Sequence, residues 1–120
     1  MKIKRFEELK AWQKARCLTN IIYQLTKEGE FSCDWGLRDQ IRRASGSIMH
    51  NIAEGFDSGS DAEFCGFLRY AQRSATEVQS QLYVAIDQCY LSQEKLDQLM
   101  ADRREVHAII GGLIKYLTKD

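Results

Sequence analysis

Residues 60–91 read SDAEFCGFLRYAQRSATEVQSQLYVAIDQCYL, and the apolar positions in this stretch decide the fold. Phe64, Leu68, Ala71, Ala75, Val78, Leu82, Ala85 and Cys89 follow one another in steps of four and three. Such steps average about 3.5 residues, the spacing that keeps one stripe of a helix turned toward a partner. Ser60-Asp61-Ala62-Glu63 stands in front of the stripe as a capping box, the Ser60 hydroxyl placed to accept from the Glu63 amide. The spacing predicts a third helix of about 30 residues, roughly 45 Å long at 1.5 Å per residue.

Working outward, the same stepping recurs three times. Ala11, Ala15, Leu18, Ile22 and Leu25 mark a first helix, and Leu37, Ile41, Ala44, Ile48 and Ile52 a second. Leu96, Leu99, Val106, Ile110, Leu113 and Leu117 mark a fourth, with Arg103 in one seam position, where its stem can pack while the head reaches water. Cuts fall near Gly29–Cys33, Gly55–Ser60 and Leu91–Ser92, all short enough to make successive helices antiparallel neighbours. Ser32 or Asp34 can cap the second helix and Ser92 the fourth, while Gly55 sits where a helix end favours positive φ. Proline is absent, so nothing breaks a long helix, and no segment alternates with period two. The reading is all-α: one domain over residues 1–120, an antiparallel up-down-up-down four-helix bundle, about 75–85% helical against a globular average near a third.

Charge and motif content narrow the function classes. Lys plus Arg and Asp plus Glu number 17 each, whereas a dedicated nucleic-acid binder carries a basic surplus. The N-terminus is polar and no apolar run reaches about 18 residues, which predicts a cytoplasmic protein with no membrane partner. Cys17, Cys33, Cys65 and Cys89 are widely spaced and expected as free thiols, three of them small hydrophobes on predicted helices. No Glu stands three residues before a His, so the carboxylate–histidine set of a di-iron bundle is missing, and no phosphate-cradling glycine loop occurs. No catalytic residue, metal ligand or cofactor site is expected.

Two groups of polar residues invite a binding role. Arg38 and Arg42, with Arg43 beside them, and Arg69 and Arg73 form i,i+4 pairs that each place two guanidinium groups on one helix face. Such a face could hold phosphates; alternatively these arginines pair with Asp39, Glu54, Glu63 and Glu77, which overall neutrality favours. Asn51 and Glu54 near the end of the second helix could make a small polar site, or be satisfied by the next turn. Toward the end of the third helix the polar face closes: Ile86 lies about 100° from the seam centre, and Tyr83 and Tyr90 about 140° from it. A helix apolar nearly all round is buried all round, so Tyr83, Ile86 and Tyr90 are expected in a subunit contact.

One stretch carries a resemblance. Trp35-Gly36-Leu37, Gln40-Ile41-Arg42-Arg43-Ala44, Ser47-Ile48 and Asn51-Ile52-Ala53-Glu54-Gly55 resemble the bacterial four helix bundle proteins, also called ribosomal RNA intervening-sequence proteins. Glu63-Phe64, Phe67-Leu68, Ala71, Ser74 and Glu77 are similar to that family's third helix, and Phe6 to Leu9 with Trp12 to its opening. The chain departs from the pattern at Ser32 and Met49, where proline is usual, at Arg73, where glycine is, and in lacking a basic residue over 56–59. The resemblance implies a bundle assembling into a homo-oligomer, a pentamer, with no enzymatic activity. It also implies RNA or a nucleic-acid-processing protein such as a reverse transcriptase as a second partner.

Overall fold

Each helix carries an apolar stripe that water disfavours, and four stripes joined by short turns can all be covered by facing one axis. The computed structural model describes residues 2–119 and has this arrangement. Helices α1 (Lys10–Thr26), α2 (Trp35–Phe56), α3 (Asp61–Asp87) and α4 (Gln93–Leu117) run alternately up and down, with short 3-10 turns at Phe6–Glu8 and Gly29–Cys33. Each packs on its two neighbours in a closed square, α2 against α3 most extensively. Among the described residues there is no strand, the chain is 84% helical, and no helix is long and apolar enough to cross a membrane.

The stripes meet as the spacing requires. Leu18, Ile22, Ile41, Ile48, Ile52, Leu68, Val78, Leu82, Leu99, Val106 and Ile110 are at most 1% exposed. Ala15, Ala71 and Ala75, fully buried between them, let the helices approach closely. Ser60 Oγ accepts from the Glu63 amide at 3.1 Å and Ser92 Oγ from the Lys95 amide at 3.1 Å. At α2 the cap is Asp34, accepting from the Leu37 amide at 3.2 Å, while the Ser32 hydroxyl donates to Gly29 O inside the preceding turn.

Three expectations need correcting. Gly55 is not a positive-φ terminus: it lies inside α2, buried, and a Cβ there would stand 2.8 Å from both Phe64 Cδ1 and Phe67 Cβ. It is glycine because α2 and α3 come too close for anything larger. Among the cysteines only Cys65 is buried; Cys17, Cys33 and Cys89 are exposed.

The third correction is the end of α3, which stops at Asp87 after 27 residues. The Cys89 amide donates to Ile86 O at 2.9 Å and the Tyr90 amide to Ala85 O at 3.0 Å, with Cys89 at φ +63°. That pair of hydrogen bonds around a left-handed residue is a Schellman motif, with cysteine where glycine is usual. The turn swings Tyr90 off the helix wheel.

Candidate functional site

The five arginines singled out by spacing have different fates. In α2, Ile41, Ala44 and Ser45 face the core, which leaves Arg42 on the flank toward α1. Its Nε donates to Thr26 Oγ1 at 2.7 Å, and the guanidinium lies 4.6 Å from the centre of the Tyr23 ring. Thr26 is fully buried and passes its own proton to Ile22 O at 2.8 Å. Arg38 donates to Asp39 at 2.9 Å and to Ser32 O at 3.1 Å. Both side chains are engaged within the chain, tying α2 to α1 and to the turn before it. Arg43 is exposed and borders a shallow concavity with Gln40, Ala44, Ser47 and Glu77.

The contrast with α3 is testable. Arg42→Ala removes a charged donor from a buried hydroxyl and a cation–π contact, and is expected to cost about 2 kcal/mol. Arg69→Ala, at an exposed position, should stay within about 0.5 kcal/mol of the parent. Urea midpoints measure both; equal losses would mean the two arginines do the same job.

Arg69 and Arg73 are exposed on the outward side of α3. The acid pairing expected for the arginines is absent here: among the described residues the ion pairs are Arg5–Glu7, Lys14–Glu105 and Arg38–Asp39. Glu77, one turn from Arg73, instead accepts from Gln81 Nε2 at 3.2 Å. Arg73 lies 5.3 Å from the centre of the Tyr70 ring, itself 57% exposed. Gly66, Arg69, Tyr70 and Arg73 line an open concavity of about 200 Å³. Tyr70 was not singled out by the sequence; its position between the two arginines was the available signal.

Asn51 and Glu54 do not form a joint site. Asn51 Nδ2 donates to Ser47 O at 2.8 Å and Ser47 Oγ at 3.0 Å, and Ser74 Oγ donates to Ser47 Oγ at 2.9 Å. This knits α2 to α3 within the helices rather than at their end. Glu54 is exposed.

The apolar end of α3 is likewise divided. Tyr90 stacks on Phe31 with centroids 5.0 Å apart and donates its hydroxyl to Asp34 Oδ2 at 2.9 Å. That bond, with burial adding to it, raises the phenol above its ordinary pKa. Ile86 is half-buried against the core. So Tyr90 and Ile86 find their cover within the chain, whereas Tyr83 and Val84 remain 53% and 45% exposed.

Arg103 is 8% exposed, and its Nε has no hydrogen-bond partner. Burial, with repulsion from Arg104, lowers its pKa, and nearby Tyr83 partly offsets this. The seam position is thus occupied by an arginine that is buried as the stripe requires, but its Nε does not reach water as expected of a snorkelling head.

Comparison with known proteins places this geometry. A family model described as 23S rRNA-intervening sequence protein matches residues 7–112. Among solved structures, a protein of unknown function from the S23 ribosomal protein family of Bacteroides thetaiotaomicron VPI-5482 is similar, with a TM-score of 0.78 at 25% identity. The similarity covers 88% of this chain and 95% of that one. No curated protein matches the chain.

Proposed function

The chain belongs to the 23S rRNA-intervening sequence protein family, and from that premise we propose that it acts without catalysis, as a self-associating helical interaction module. The observation that carries this is the pair Tyr83 and Val84, adjacent large side chains left about half exposed on α3. Exposed aromatic area with a polar tip suits an interface core. The polar side chains that converge between α2 and α3 serve their contact: Ser47 Oγ accepts from Asn51 Nδ2 and from Ser74 Oγ. The pentamer that the family resemblance implies is the stoichiometry to look for.

Sedimentation velocity at micromolar concentration tests this. The parent should sediment as a discrete oligomer, and Tyr83→Glu with Val84→Glu should sediment as a helical monomer. Ile86 is unsuitable for this test, because a charge there would disturb the core it packs against. A monomeric parent would refute self-association.

A second reading, nucleic-acid binding, is favoured by Arg69 and Arg73, which share a face and have no carboxylate partner among the described residues. Like charges at i,i+4 destabilise a helix by a few tenths of a kcal/mol, and phosphates between them would reverse that sign.

A further inference from the structure

We propose that Arg69, Tyr70 and Arg73 form a site for single-stranded nucleic acid, with Tyr70 as the platform on which an unpaired base stacks. This rests on the nucleic-acid reading and sharpens it.

Three features of the patch point the same way. First, Arg69 and Arg73 leave one side of α3 at points about 6 Å apart along its axis, a spacing that lets them reach successive phosphates of one strand. Second, Tyr70 lies between them in the chain, is 57% exposed and sits under the Arg73 guanidinium, 5.3 Å from its ring centre. Arg73 takes this position although Glu77 lies one turn away, so ring and guanidinium form one joint surface. Aromatic rings and arginine planes are the groups that hold bases without reading their sequence. Third, Gly66 stands one turn before Tyr70 with nothing within 4 Å of where its Cβ would be. The concavity beside the ring is therefore open to a flat ligand.

The path is bounded. Arg69 also lines a neighbouring concavity with Asp61, Ala62, Cys65, Leu117 and Thr118, where the Asp61 carboxylate would repel a further phosphate. Arg38 and Arg42 cannot serve equally, because they already donate within the chain.

Strandedness separates this site from a merely positive surface. Duplex carries more charge per unit length and binds a simple cation patch with the steeper salt slope, about 0.9 per phosphate against about 0.7 for a single strand. Its bases, being already stacked, cannot use Tyr70. The preference for a single strand is thus the signature.

Fluorescence anisotropy with a labelled, unstructured RNA of about 12 nucleotides, and with its duplex, provides the test. The full chain should bind the single strand more tightly than the duplex. Arg69→Ala with Arg73→Ala should flatten the slope of log K against log salt by about 1.4, two phosphates' worth. Two such contacts correspond to about a sevenfold loss of affinity between about 50 and 200 mM salt. Tyr70→Ala should weaken single-strand binding at least about fivefold at unchanged slope, and Tyr70→Phe should restore it. All three positions are exposed, so circular dichroism should show unaltered helicity.

No binding of either probe at low salt would overturn both the site and the nucleic-acid reading. Binding that favours the duplex or ignores Tyr70→Ala would overturn the single-strand site alone. Loss of self-association in the double-arginine variant, without RNA binding by the parent, would give this face to a second copy of the chain.

Discussion

Leu68→Asp is expected to abolish the cooperative fold, leaving a chain without stable helices at room temperature. Leu68 is 0% exposed, one turn into the apolar stripe of α3. Truncating a buried leucine to alanine already costs about 2–5 kcal/mol. The aspartate adds a carboxylate in apolar surroundings, which must be neutralised or desolvated at a further cost of several kcal/mol. The total approaches or exceeds the 5–15 kcal/mol that holds a typical domain together. Far-ultraviolet circular dichroism across a urea series is the measurement. Leu68→Ala should keep a sigmoidal transition at a lower midpoint, whereas Leu68→Asp should show none. A native-like transition in the aspartate variant would mean that α3 is not the central seam of the bundle.

The second large effect is expected at Gly55. Replacing a helical glycine by alanine ordinarily stabilises by up to about 1 kcal/mol, because alanine restricts the unfolded chain more. Gly112, with nothing within 4 Å of its would-be Cβ, should behave in that way. Gly55→Ala should have the opposite sign, because its Cβ would meet Phe64 Cδ1 and Phe67 Cβ at 2.8 Å each. The Phe64 ring could turn only by disturbing its edge contact with Phe56, at 6.0 Å between centroids, and Phe67 Cβ moves only with the α3 backbone. Overpacking of this kind costs about 1–3 kcal/mol, and Gly55→Leu should reach or pass the upper figure. Denaturation midpoints that rise for both glycines alike would show that α2 and α3 are not in such close contact.

These two positions also mark where sequence reasoning works and where it stops. Leu68 is legible because a stripe is a periodic property, repeated along a helix and insensitive to any one neighbour. The caps at Ser60 and Ser92 are legible because donor and acceptor lie within three residues of each other. Gly55 looked like a terminator because local rules know glycine by its φ, while its actual constraint comes from two phenylalanines on another helix. Cys89 carries no local mark of a left-handed residue, so α3 was extended past its end, and Tyr90 with it.

The arginines show the same limit. Arg38 and Arg42 have the spacing of Arg69 and Arg73, yet Arg42 meets a hydroxyl 16 residues away while Arg73 meets only its own helix. Spacing finds pairs of like charges. The side chains packed around each pair decide which of them is left free.

Absence of proline and short connections give a rod measuring 48 by 21 by 19 Å. Its ends are therefore small, and each long side is more than twice as large as an end. A stable protein–protein contact needs about 800 Å² from each partner. A long side is better placed than an end to supply this. The self-association proposed above is accordingly expected to run lengthwise, along the helices, and substitutions at the tips should leave such contacts untouched.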